Sequence, residues 1–373
     1  MAQRRIIFLV HGMGEHGQKW ADPWIKRLKG LYAQYEGTNL TRLEFDERFE
    51  CIPLTYDNIF VDLLNRWRTE GANLAEAKSE LEEVDRPDLF NLVERTLDEV
   101  SGDSFWSTHA ADALLYRAIP LIREAVKAHV GQQIVSHLNQ RAIDNTDVIP
   151  PWGVVSHSLG TIVTHDTLDA IWTLKLQGQQ VNGFAPNRPG GMAQLVMMVS
   201  NVSRLLQSRP KVYDDTTVMP GPIAGTTVPD HPNLLRGCFR YVNVWNEFDP
   251  FVRPGKFSPQ PPDWPDTESK SLFQEIKVDH IRNANTHDFL HYLDNPAVHL
   301  ELFTTMSGRP DAVAAEKRTD ALAAFEAKSD LPEQLIIDIK REVERLDVAS
   351  DDLWPTISDL VKRFKENVVS LIG

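Results

Sequence analysis

Apolar positions along this 373-residue chain follow two rhythms. Short continuous runs rich in β-branched residues occur at 5–10, 49–56, 152–155, 194–199, 239–245 and 276–281, and each predicts a strand buried on both faces. Pro53 interrupts the hydrogen bonding expected inside the second run. Between these runs the period changes to threes and fours. Asp22 as N-cap and Pro23 at the first helical position predict a helix with Trp24, Ile25 and Leu28 turned inward. A second helix spans about 110–139, where Leu115, Ile119, Ile122, Val126, Val130, Ile134 and Leu138 form one stripe and Pro120 marks a kink. Strands alternating with helices imply an α/β fold with a mainly parallel sheet flanked by helices.

Two regions depart from that alternation. Residues 58–110 read as a charged helical insertion, with Ile59, Val61, Leu63, Leu64 and Trp67 apolar and an acidic tract over 80–88; a surface insertion and a cap over a site fit equally. From 309 to 373 the pattern is helical only, with stripes at Ile336, Ile339, Val343 and Leu346 and at Ile357, Leu360, Val361, Phe364 and Val368. This divides the chain into a core over 1–308 carrying the insertion, and a C-terminal helical extension packed on it, through which homo-oligomers could form. Loops are expected at 183–191 and at 214–233, the second placed to line an entrance.

Charge and cysteine content narrow the partners. A formal net charge of -14 argues against nucleic acid and against electrostatic adhesion to anionic membranes. An uncharged ester or lipid held by apolar contact, with transient membrane contact, stays compatible. Cys51 and Cys238 lack metal or redox spacing, and the run Ile6–Ile7–Phe8–Leu9–Val10 is too short for a signal peptide or membrane span. A cytoplasmic protein is expected.

The candidate chemistry centres on Ser156–His157–Ser158–Leu159–Gly160, between an apolar run and a helical pattern. A serine there, with small residues two before and two after, has the form of a nucleophile elbow, a turn so sharp that neighbouring backbones pass close by. Ser156 stands where glycine is usual. A serine hydroxyl needs a base to take its proton, and that base needs a carboxylate to orient it. Asp249, after the run ending at Trp245, and His287, after the run near Ile281, follow Ser158 in the required order; Glu247 is a competing carboxylate, and His280 and His291 are alternative bases.

Upstream, Gly12, Gly14 and Gly17 form a GxGxxG, but the helix at Asp22 starts too late for a dinucleotide loop and no acidic residue ends a strand at the expected distance. An oxyanion hole built from the N–H groups of Met13 and Leu159 fits the segment better. Gly12 and His157 are placed against substrate, with His11 a structural neighbour. His287 and His291 have the spacing of a metal pair but lack an HExxH-type glutamate, so neither a metal nor another cofactor is expected.

These segments carry a resemblance. Val10–His11–Gly12–Met13–Gly14–Glu15–His16, the serine pentapeptide, Asp249–Pro250 and His287 resemble the α/β-hydrolase superfamily of serine esterases and lipases, the first being similar to the HG segment of monoacylglycerol lipases. Asp112–Ala113–Leu114–Leu115–Tyr116, His157–Ser158–Leu159–Gly160 and Asp166 are similar to intracellular phospholipases of the DDHD type and their bacterial serine-esterase relatives. The resemblance implies an α/β-hydrolase fold and ester hydrolysis through an acyl-enzyme. Ser158 would attack, His287 would act as base and then acid, and Asp249 would orient it. Thioester or amide cleavage by the same residues, and a catalytically silent interaction protein of the same fold, are the alternatives.

Overall fold

The computed structural model describes residues 4–12, 17, 19–60, 62, 116, 120–144, 148–172, 190–203, 238–253, 256–257, 272–281, 285–326, 333–346 and 356. Among them, six strands form one sheet: β1 (Arg5–Val10), β2 (Phe49–Leu54), β3 (Trp152–His157), β4 (Leu195–Val199), β5 (Tyr241–Asn246) and β6 (Phe273–Val278). Every neighbouring pair is parallel, and the spatial order is β2-β1-β3-β4-β5-β6. The helices that position the sheet are α1 (Asp22–Ala33), α2 (Phe45–Arg48), α3 (Pro120–Asp144), α4 (Leu159–Trp172), α5 (Phe289–Leu293), α6 (Pro296–Ser307), α7 (Ala315–Glu326) and α8 (Glu333–Glu344), and residues 57–60 are also helical.

The strand sequences are apolar on both faces because helices cover both. Ile6, Phe8, Val10, Trp152, Val154, Val196 and Met198 turn to one face, where Val126, Val130, Ile134 and Leu138 of α3 and Ile162, Val163 and Leu168 of α4 meet them. Ile7, Leu9, Val155, Met197 and Val244 turn to the other, against α1, α2, α5 and α6. A parallel sheet brings the carboxyl ends of all its strands to one edge. The chain steps from β1 outward to β2, returns past β1 to β3, and then runs to the far edge. Such a reversal opens a crevice beyond the strand ends, where open α/β sheets bind ligands. Here it lies between the ends of β1 and β3, at Gly12 and Ser158.

The α/β class expected from the alternation is present, and the differences are local. Asp22 is the first helical residue rather than the N-cap; Ala21 takes the cap position in an αR conformation after a turn closed by Asp22 N–H on the Lys19 carbonyl. Asp22 still places its charge in the first turn, where the helix dipole favours it. Pro53 lies in β2, which among the described residues pairs only with β1 and so tolerates a missing donor. The last strand begins at Phe273, three residues before the apolar run, because an edge strand carries polar residues: Glu275 pairs with Lys256 and Lys277 with Glu247. Beyond Asp62 the insertion lies outside the described residues, as do 110–115 and 117–119 of the expected second helix, 183–189, 214–233 and the stripe from Ile357. In the C-terminal part, Phe325 of α7 meets His280, Val343 of α8 is buried, and Leu346 packs on the first core layer.

A buried ion pair ties α3 to α4. Arg123 forks onto Asp166 at 2.7 and 3.0 Å, and the Tyr116 hydroxyl donates to the same carboxylate at 2.7 Å. Removing the carboxylate leaves the part-buried Arg123 charge and the buried Tyr116 hydroxyl without their partner. Asp166→Ala is expected to cost about 3–5 kcal/mol in denaturant unfolding. The triple change Tyr116→Phe, Arg123→Met, Asp166→Leu, which also removes the hydroxyl that would lose its acceptor, should recover most of it; a triple variant as unstable as the single one would show that the unpaired polar groups are not the source of the loss.

Candidate active site

The site is assembled from the ends of four adjacent strands. β3 ends at His157, and Ser158 then adopts φ 54, a left-handed conformation that a side chain enters at a cost, before α4 starts at Leu159. The turn is held by Ser158 N–H on the Val199 carbonyl and Thr161 N–H on the Ser158 carbonyl. It also passes hard against β1. A Cβ on Gly160 would lie 2.3 Å from the His11 carbonyl oxygen and 2.9 Å from that of Val10, so glycine is a steric requirement there. Ser156 fits at the other small position because its hydroxyl is used: its Oγ lies 2.6 Å from Thr164 Oγ1 on α4.

Beyond β1, Gly12 leaves the space over the serine clear; a Cβ on it would stand 2.8 Å from Ser158 Cβ. Its carbonyl accepts from His11 Nδ1 at 2.8 Å and from the Tyr56 hydroxyl at 3.0 Å, and Tyr56 also reaches the His11 carbonyl at 2.7 Å. Met13 lies outside the described residues. Leu159 opens α4, and the N–H of a first helical residue has no intrahelical acceptor.

Asp249 stands in the turn after β5, its Oδ1 accepting Phe251 N–H at 2.9 Å. Asn246, the last residue of β5, stiffens the same turn by accepting Phe248 N–H at 2.8 Å and facing His291 Nε2 at 3.2 Å. His287 precedes α5, which Asp288 caps through Leu290 N–H, and Thr286 anchors the segment by donating to the Phe248 carbonyl at 2.8 Å. These loops bring the three residues together. His287 Nε2 lies 2.8 Å from Ser158 Oγ, while His287 Nδ1 lies 2.9 and 3.0 Å from the two Asp249 oxygens. Nδ1–H therefore donates to the carboxylate and Nε2 accepts the Ser158 proton. All three are buried.

The competing residues are elsewhere. Glu247 turns to Lys277 at 2.8 Å, His280 lies past the end of β6 rather than within it, and His291 is spent on Asn246. His157 donates from Nε2 to the His287 carbonyl at 2.6 Å and is flanked by Trp24 and Phe289, so its ring holds the histidine loop in place. Among the described residues, no group of three or more His, Cys, Asp or Glu side chains is arranged to hold a metal ion, and no helix is long and apolar enough to cross a membrane.

Two residues that the sequence reading did not single out complete the site. Ser200 Oγ donates to Asp249 Oδ2 at 2.6 Å, and the Tyr292 hydroxyl donates to the same oxygen at 2.6 Å. Neither belongs to a recognisable motif; only the position of Ser200 directly after a buried run could have signalled it. Burial alone would raise the Asp249 carboxyl, but the His287 charge and hydrogen bond, with the Ser200 and Tyr292 hydroxyls, outweigh it and hold Asp249 below the usual carboxylate range. Comparisons of the chain with protein-family models, curated proteins and solved structures find no match.

A carboxyl whose folded pKa is depressed adds stability above its unfolded value of about 3.9, and loses it as pH falls through the folded value. Tyr292→Phe removes one donor and brings the folded value nearer the unfolded one. The variant is expected to lose about 1–3 kcal/mol at neutral pH and to begin its acid unfolding at higher pH than the wild type. Urea denaturation from neutrality down to about pH 2 tests this; coincident acid transitions would mean that Tyr292 does not stabilise the ionised carboxylate.

Proposed function

We propose that this protein is a serine hydrolase of the α/β-hydrolase fold, cleaving carboxylic esters, including lipid esters, through an acyl-enzyme on Ser158. The observation that carries the reading is the unbroken hydrogen-bonded line from Ser158 Oγ through His287 to Asp249, in that chain order, beyond the ends of parallel strands. Order and placement are those of the hydrolase fold, whose nucleophile sits on a strained strand-to-helix turn. The strain at Ser158 and the close approaches at Gly160 and Gly12 support the same reading.

In this mechanism His287 Nε2 takes the Ser158 proton as Oγ attacks the ester carbonyl carbon. The imidazolium that forms is stabilised by the ionised Asp249 carboxylate, which keeps Nδ1 protonated. The developing oxyanion is received by backbone N–H groups, with Leu159 at the head of α4 as one donor and Met13 as the second expected from sequence. His287 then returns the proton to the leaving alcohol oxygen, and water, activated by the same imidazole, releases the acid and restores Ser158.

Thioesters and amides pass through the same steps, so acyl preference is decided by substrate comparison. A silent interaction protein would keep the fold without turnover. A fluorophosphonate probe is expected to label the wild type and leave Ser158→Ala unlabelled, and esters of graded acyl length should be hydrolysed with kcat reduced by about 10⁴-fold or more in that variant. Equal labelling of the two proteins would remove Ser158 from the mechanism; no labelling and no ester turnover would favour the silent alternative.

A further inference from the structure

The strained serine at the end of β3 has a counterpart. β4, the next strand, also ends in a serine with left-handed backbone: Ser200 has φ 51, beside φ 54 at Ser158, and these are the only non-glycine residues of positive φ among those described. They are equivalent by register, since His157 pairs with Val199 and each serine follows directly. They are fixed alike, Ser158 N–H bonding the Val199 carbonyl and Ser200 N–H the Val244 carbonyl, each on the next strand of the sheet. Both are fully or almost fully buried.

The two hydroxyls bracket one imidazole. Ser158 Oγ is 2.8 Å from His287 Nε2, and Ser200 Oγ is 2.9 Å from His287 Nδ1. Ser200 Oγ–H donates to Asp249 Oδ2 at 2.6 Å, so its oxygen faces the Nδ1 proton as a second acceptor beside the carboxylate. A residue held in an unfavourable backbone conformation persists where surrounding structure over-determines it, and such residues gather at functional sites. Nothing in the turn itself demands a serine there; glycine would take the same φ without the cost. What serine adds is the hydroxyl. Resting on the reading of Ser158 as nucleophile, we infer that Ser200 is a positioning residue of the hydrolytic site: its hydroxyl locks the Asp249 carboxylate and the His287 ring in the one orientation that aims Nε2 at Ser158.

Its left-handed φ allows hydroxyl and backbone to be separated. Ser200→Ala keeps the backbone penalty and loses the hydroxyl, whereas Ser200→Gly loses both. Fluorophosphonate labelling of Ser158 measures nucleophile activation without knowledge of the natural substrate. Both variants are expected to label with a maximal rate constant lowered by at least about tenfold while the half-saturating probe concentration stays near wild type. Ser200→Gly should be the more thermally stable of the two. The downfield proton resonance of His287 Nδ1–H should move in both, and should be absent from a His287→Ala control. A Gly variant that regains the wild-type labelling rate would reduce Ser200 to a turn residue and overturn the inference. So would an Ala variant labelling at the wild-type rate, and either result leaves Ser158 as nucleophile intact. A wild type that takes no label overturns the Ser158 reading and this inference with it.

Discussion

A carboxylate sealed from water is the interaction around which this site is built. Asp249 has no exposed surface, and an ion in that position is tolerated only if hydrogen bonds replace its hydration. Four donors do so: Phe251 N–H, Ser200 Oγ, Tyr292 OH and His287 Nδ1. They come from the Asp249 turn itself, the end of β4, α5 and the loop before α5. Satisfying one charge therefore draws separate parts of the chain to a point, and fixes His287 relative to the sheet. Burial pushes the carboxyl up, and the His287 charge with these hydrogen bonds pulls it down further than burial raises it.

The opposite wall is set by sterics rather than charge. The β3–α4 turn approaches β1 so closely that Gly160 has no room for a methyl group, and Gly12 closes over Ser158 from the other side. Tyr56, at the end of β2's loop, clamps both carbonyls of that segment, while His11 stacks on its ring at 4.3 Å. Strand order makes this possible, because β1 and β3 are neighbours only through the chain's return past β1.

Much of this was legible in the sequence, and the reasons are physical. Runs buried on both faces announce themselves by composition, so Arg5–Val10 and Leu195–Val199 were placed almost to the residue, and the α3 stripe from Ile122 to Leu138 is buried as its period requires. The start of β6 was not legible, because an edge strand has polar residues that composition assigns to loops. Residues bound to local turns could be ranked by position: the structure brings Asp249 rather than Glu247 to His287. Ser200 and Tyr292 could not be ranked, since what singles them out is a common distance to Asp249 across 49 and 43 residues of chain. The bond from His157 Nε2 to the His287 carbonyl, 130 positions away, was not legible for the same reason.

Taken together, the two walls explain why strain concentrates where it does. A serine forced into a left-handed turn relaxes unless both flanks are fixed. For Ser158 those flanks are the Val199 carbonyl and the α4 turn bonded at Thr161; for Ser200 they are the Val244 carbonyl and the buried carboxylate. Each strand thus supplies the acceptor that holds its neighbour's serine, and the series ends at Asp249, where the charge is. Weakening the charge would therefore release the Ser200 hydroxyl and the His287 ring, while the Ser158 turn keeps its own backbone bonds. The acid thus sets the aim of the proposed base, and backbone geometry sets the place of the proposed nucleophile.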